Sequence, residues 1–233
     1  MHWSYHTIDW DSVHRVSNID KLFITLNNRP HLHRCLLLDG IYKHSLQNYG
    51  NISWNVKADY SFEYFNNQLL QLDEFNSQWV MPAQQFSSLF NIIAESNLSR
   101  IDITEKTYYA MLCKKPILLL AKQGINKRLE HFGFKLLDCI DYSFDSEPDI
   151  NVRIDLLLEQ LKHFKNTDYN ELYNQMLPTI QYNYDRLITI VNSRLYVPER
   201  FYDIYLDIKD LKTNYSPGVV KSIYETTLSN TNC

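Results

Sequence analysis

Thr104-Glu105-Lys106 puts a carboxylate and an ammonium side by side at what reads as the start of a helix. Thr104 is a good N-cap and Glu105 suits the positive end of the helix dipole. Lys106 does not, and its position there costs a few tenths to about 1 kcal/mol. An anion held at that end reverses the sign, because backbone N–H groups, dipole and ammonium would meet a phosphate together. The alternative is a lysine whose ammonium simply reaches solvent along its aliphatic stem. Arg34 is a second cation with two readings: a phosphate ligand near a strand end, or a solvated surface group. It follows the strand-like run at 21–26 and the turn Asn27-Asn28-Arg29-Pro30.

The elements that must hold these groups are legible as alternating runs. Lys21-Leu22-Phe23-Ile24-Thr25-Leu26 reads as a strand, and Pro30 falls in the first turn of a helix reaching about Leu46. A second strand covers 51–55. This strand, basic loop, helix, strand order is the grammar of a nucleotide-binding α/β domain, in which ligands sit at the carboxyl ends of the strands, where Asn28, Arg29 and Arg34 would project. Residues 57–86 are irregular. A buried strand follows at 88–95, then the Thr104 helix, then Ile117-Leu118-Leu119-Leu120-Ala121, whose apolar run predicts a central parallel strand covered on both faces. Asn126 to His131 reads as a short helix stopped by Gly133, and Phe134-Lys135-Leu136-Leu137 as the next strand. The βαβαβ pattern is thus expected on each side of residue 57. Ile154, Leu157, Leu158 and Leu161 form a helical stripe, and a further helix at 168–192 is kinked or split by Pro178.

Composition narrows the function classes. A chain of 233 residues with net charge −4 has no overall basic field to draw it to nucleic acid or anionic membrane. Its apolar runs are too short to span a bilayer, and Met1-His2-Trp3-Ser4-Tyr5-His6 lacks the layout of a secretory signal, so a cytoplasmic location is expected. The four cysteines are scattered, which favours buried thiols, and the eight histidines show no zinc spacing. With 5 glycines the chain has no G-x-G-x-x-G or Walker loop, so a phosphate site must be built another way.

The run Phe90-Asn91-Ile92-Ile93-Ala94-Glu95-Ser96-Asn97 through Thr104-Glu105-Lys106 to Ala110 resembles the donor-binding core of α-1,3-fucosyltransferases. There a strand ends in an F-E-N-S-like tetrapeptide, followed by Y-x-T-E-K, an amphipathic helix and an apolar strand begun by a proline, as at Lys115-Pro116-Ile117. Gln123-Gly124-Ile125-Asn126-Lys127-Arg128-Leu129, Gly133-Phe134-Lys135, Tyr142, Asp145, Asp149 and Arg153 continue the pattern of the short viral and bacterial members. Ala94 and Gln123 depart from it, standing where an aromatic residue and a proline are usual.

The resemblance implies a Rossmann-like parallel sheet of GT-B type flanked by helices, with C-terminal helices packed on it. The expected organisation is an N-terminal arm at 1–20, a nucleotide-sugar-binding domain at 21–165 and a helical extension at 166–233. The implied activity is transfer of a sugar from a nucleoside diphosphate, guanosine-based as in GDP-fucose, to a hydroxyl acceptor, with no metal or other cofactor. Glu105 would bond the ribose, Lys106 and Arg34 would clamp the diphosphate, and Glu95, Asn97 and Thr104 would complete the donor site. The family's acceptor domain, which supplies the general base, is missing or reduced to a stub. A partner chain would then have to provide it; Asp9, Asp11 and His14 are nearby candidate bases, though a solvated surface group is the favoured reading of each. Two rivals stand beside this reading. One is a non-catalytic nucleotide-binding or assembly module; the other is glycosylation of modified DNA bases, which requires Lys114, Lys115, Lys127 and Arg128 to form a patch.

Overall fold

The structure is a computed structural model that describes residues 18–27, 29–54, 59–65, 84–99 and 103–192. The chain divides into two units, Met1–Val13 with Ile188–Cys233, and His14–Leu187. The second holds the sheet. Its strands are β1 (Lys21–Asn27), β2 (Gly50–Trp54), β3 (Ser88–Ala94) and β4 (Ile117–Leu120), and its helices are α1 (Leu32–Lys43), α2 (Glu105–Leu112), α3 (Ile125–His131) and α4 (Ile150–His163). Helix α5 (Tyr169–Asn192) begins in this unit.

All four strands are parallel, in the order β2-β1-β3-β4. This is a Rossmann-like α/β sheet. Phe23 stands opposite Gly50 and Phe90, and Thr25 opposite Ile52 and Ile92. The crossover from β1 to β2 and that from β3 to β4 run outward in opposite directions. Right-handed crossovers therefore place α1 and α2 on opposite faces of the sheet. Accordingly, one core joins Phe23, Ile52, Phe90 and Leu118 to Leu37, Leu38 and Ile41 of α1 and to the predicted α4 stripe Ile154, Leu157, Leu158 and Leu161. Ala110, Met111 and Leu112 of α2 are buried outside that core.

Two glycines set the closeness of this packing. A Cβ on Gly40 would lie 2.9 Å from Leu158 Cδ1 and 3.0 Å from Ile154 Cγ2, so α1 and α4 meet backbone to side chain there. A Cβ on Gly50 would sit 2.3 Å from ring carbons of Phe23, whose ring lies over the glycine. The C-terminal end of α1 is tied to α4 by polar contacts as well. Lys43 Nζ and His44 Nε2 each lie 2.8 Å from the Asp155 carboxylate. These bonds hold Asp155 below the usual carboxylate range against the upward pull of its burial.

The outer half of the domain departs from the expected pattern. Instead of a βαβαβ on each side of residue 57, the described residues form one β-α-β unit on each side, and β4 is an edge strand among them rather than a central one. Residues 134–137 are not a strand because side chains satisfy their main chain. Lys135 N–H donates to Asn183 Oδ1 at 2.7 Å, Asn183 Nδ2 donates to Lys135 O at 2.8 Å, and Leu137 N–H donates to the Tyr142 hydroxyl at 3.3 Å. Helix α5 runs through Pro178 without interruption, neither split nor ended there. It buries Leu172, Tyr173, Met176 and Ile180 in the main core. Its tyrosines also receive lysines from the β4 side of the sheet. Lys114 lies 4.8 Å from the Tyr184 ring centre, Lys115 5.2 Å from Tyr173 and Lys135 4.2 Å from Tyr182. Cys35 and Cys113 are buried as expected, whereas Cys139 is exposed. No helix among the described residues is long and apolar enough to cross a membrane.

Gly50→Ala should destabilise the protein by about 1–3 kcal/mol, since the methyl group and the Phe23 ring compete for one space. Chemical denaturation will read this as a lower midpoint, and adding Phe23→Leu should recover part of the loss.

Candidate functional site

In an open parallel sheet the loops leaving two neighbouring strands on opposite sides separate, and a crevice opens between them. Here that point lies between β1 and β3, and the loops leaving their carboxyl ends are the ones that carry the sequence-predicted site residues.

Glu95, the first residue past β3, is completely buried. Its carboxylate accepts from Thr104 N–H at 3.0 Å, from the Thr104 hydroxyl at 2.5 Å and from the Thr107 hydroxyl at 2.7 Å. A buried carboxylate needs such donors to remain charged, and here they come from the N-terminal turn of α2. Thr104 does occupy the N-cap position of α2, yet its side chain makes no cap hydrogen bond and serves Glu95 instead. Glu95 thus fastens the start of α2 to the end of β3.

Arg34, on the first turn of α1, is only 2% exposed. Its Nε and Nη2 donate to Ala94 O, at 3.2 and 2.9 Å, and Nη1 donates to Arg29 O at 3.5 Å. The guanidinium therefore closes the end of β3. One residue earlier, His33 Nε2 donates to Glu95 O at 2.7 Å. Burial, aided by the nearby charges of Arg34 and Lys106, pushes the His33 ring down to about 4. The imidazole is therefore neutral at pH 7. The His31 ring stacks on it, with centroids 5.8 Å apart and planes 6° from parallel. His31 is also depressed, by burial first and then by the charges of Arg34, Arg29 and Lys106.

The predicted residues thus fall into two groups. Arg34, Glu95 and Thr104 come together, bonded to the frame of the crevice rather than facing an open pocket. Lys106 approaches from α2 closely enough for its charge to be felt at both histidines, alongside exposed Arg29. Asn97 lies on the loop after β3, where its Oδ1 accepts from Ser99 N–H and hydroxyl at 2.8 and 2.7 Å. Glu105 is the first residue of α2. Asn28, Asp9, Asp11 and His14 fall outside the described residues. His31 and His33 are site residues that the sequence reading considered only as zinc ligands; the signal for them was the H-x-H-R run directly after a strand-ending turn.

The later residues of the motif pattern do comparable structural work at β4. Arg153 Nη1 donates to Ala121 O at 2.6 Å, as Arg34 does at β3. The buried Asp145 carboxylate accepts from Asn126 N–H at 2.9 Å, and Asp149 caps α4 through Asn151 N–H at 2.8 Å. Nothing among the described residues groups three His, Cys, Asp or Glu side chains closely enough for a metal. No protein-family model, curated protein or solved structure matches the chain.

Arg29 and Lys106 bring positive charge near His31, whose neutral ring is able to donate one N–H, while the N-terminal turn of α2 is already met by the Glu95 carboxylate.

Glu95→Ala leaves three donors in need of partners and should cost about 2–5 kcal/mol, measurable by urea denaturation. His33 gives stability a pH dependence of definite sign. Below its ordinary 6.5 the unfolded chain takes up a proton that folded His33 refuses until about 4. Stability should therefore fall as pH drops through that window, by roughly 2–3 kcal/mol, and level off beneath it. In His33→Gln the fall over that segment of the stability–pH curve should be smaller by that amount.

Proposed function

We propose that the chain is the donor-binding part of a GT-B-type glycosyltransferase, holding a nucleoside-diphosphate sugar between the carboxyl ends of β1 and β3. The observation that carries this reading is that the charges of Arg34, Arg29 and Lys106 are all felt at His31, on the loop after β1, where the two crossovers part. When a glycosidic bond to a nucleoside diphosphate breaks, the leaving diphosphate gains negative charge. Cations and N–H groups already in place stabilise it without reorganising. Lys106 and Arg29 are the residues to meet that charge directly. Arg34 adds to the field and keeps the strand end in position. By resemblance, Glu105 bonds the ribose and the nucleotide is guanosine-based; the acceptor is a hydroxyl, and its general base comes from elsewhere in the full assembly.

A second reading is a nucleotide-binding module without transfer activity. It is favoured by Arg34 and Glu95, two residues reserved for the donor by the resemblance, which are bonded within the frame. The reading as a modifier of DNA bases needs Lys114, Lys115, Lys127 and Arg128 to form a patch; Lys115 is buried, whereas Lys127 and Arg128 are exposed.

A thermal-shift panel of guanosine, uridine and adenosine diphosphates and their sugar conjugates tests the site. A guanosine conjugate should raise Tm by several degrees, and Lys106→Ala should weaken that binding roughly 10- to 100-fold. If no nucleotide moves Tm, the donor site is lost. A nucleotide that binds but is neither hydrolysed nor transferred with any acceptor pool supports the module.

A further inference from the structure

Away from the crevice, four cations gather on the surface formed by α3 and the C-terminal part of α5. Lys127, Arg128 and Lys135 are exposed and Arg186 is half-buried. On α3 the buried side is Ile125, Asn126 and Leu129, so Lys127 and Arg128 share the outer side. The Arg128 guanidinium lies 4.5 Å from the centre of the Phe132 ring, and the Lys135 ammonium 4.2 Å from that of Tyr182. Arg186, one turn along α5 from Tyr182, donates from Nε to Phe132 O at 2.7 Å. Phe132 therefore touches both arginines, α5 carries both Tyr182 and Arg186, and the four cations form one strip.

Their charge is not neutralised within the fold. Among the described residues the ion pairs join Lys43 and His44 to Asp155, and His44 and Lys162 to Glu159, and none reaches the strip. An aromatic ring orients a cation through its quadrupole but brings no opposite charge. The carbonyl that holds Arg186 brings only a dipole. Asp185, beside Arg186, accepts from Gln181 Nε2 at 2.9 Å, and α3 has one carboxylate, Glu130, against Lys127 and Arg128. In a chain of net charge −4 the strip concentrates charge of the other sign.

Oriented, uncompensated cations spread over two helices match a ligand whose charges are spaced along its length rather than a single phosphate. Exposed Tyr182 and half-buried Phe132 lie among them, and such a mixture of charge and ring follows an unpaired nucleic-acid strand. Of the exposed large apolar side chains among the described residues only Tyr182 belongs to the strip, so it lacks the apolar groups that insert into a bilayer. We propose that this strip binds a single strand of nucleic acid through its phosphates, with Lys127, Arg128, Lys135 and Arg186 as the contacts. It shares no residue with the crevice and does not depend on the donor reading.

The test is fluorescence anisotropy of a labelled oligothymidine, titrated with protein over a series of salt concentrations. Four phosphate contacts at about 0.7 each should give a slope of about −3 in the logarithm of affinity against that of salt, with a micromolar Kd at low salt. Lys127→Gln combined with Arg128→Gln should weaken binding roughly 10-fold and halve the slope, and Lys135→Gln alone should lower the slope by about 0.7. These side chains are exposed, so the variants should keep the Tm of the parent. Lys162→Gln, which removes one charge from α4, should leave Kd within about twofold. Absence of binding, a slope that the strip variants do not change, an equal loss in Lys162→Gln, or tighter binding to phosphatidylserine vesicles than to the oligonucleotide overturns the proposal.

Discussion

The fixed point of this structure is a carboxylate inside the protein. Glu95 binds two threonines of the following helix, and in doing so sets where α2 begins relative to the sheet. Everything on the rim depends on that anchorage. Lys106 lies within the anchored turn, between Thr104 and Thr107, and the dipole of α2 points wherever the anchor aims it. On the facing side Arg34 and His33 hold the same piece of main chain, Ala94 and Glu95, from α1. The ends of two strands and the starts of two helices are therefore joined by one buried polar network, and the crevice is the gap above it.

The same device recurs elsewhere. Asp39 accepts from the N–H groups of Glu63, Tyr64 and Phe65, Asp145 holds the first turn of α3, and Arg153 closes the end of β4. Among the described residues the buried charges are satisfied mainly by backbone dipoles rather than by opposite charges. Backbone partners suit a strand end, where carbonyl and N–H groups lose their ladder neighbours and need others. They also fix geometry more firmly than a pair of flexible side chains would.

This explains what the sequence made legible and what it concealed. The strands at 21–26, 51–55, 88–95 and 117–121 stood out because parallel strands covered on both faces are nearly continuous apolar runs. The α4 stripe stood out by its helical period. Residues 134–137 have the same apolar character, and nothing local reveals that Asn183, 48 positions away, takes up their hydrogen bonds. Pro178 reads as a kink or a split, yet the helix carries through it without splitting. The site was half visible for a related reason. A buried arginine serving a carbonyl and a surface arginine awaiting a phosphate have the same letter and similar neighbours. Only the fold shows that Arg34 and Glu95 are bonded within the frame, while the charges of Arg29 and Lys106 reach His31 beside it.

The tyrosine-held lysines along α5 carry a consequence for how the domain comes apart. Neither a lysine ammonium nor a tyrosine ring changes its charge between neutral and mildly acid pH. The contacts of Lys114, Lys115 and Lys135 with α5 therefore persist under conditions that force a proton onto buried His33 in the first turn of α1. Acid should loosen the α1 side of the sheet first and leave α5 seated. A partly acid-unfolded form of this protein would keep α5 as the last of the described helices to leave the sheet, an order of events set by which side chains oppose the lysines rather than by how much apolar surface each helix buries.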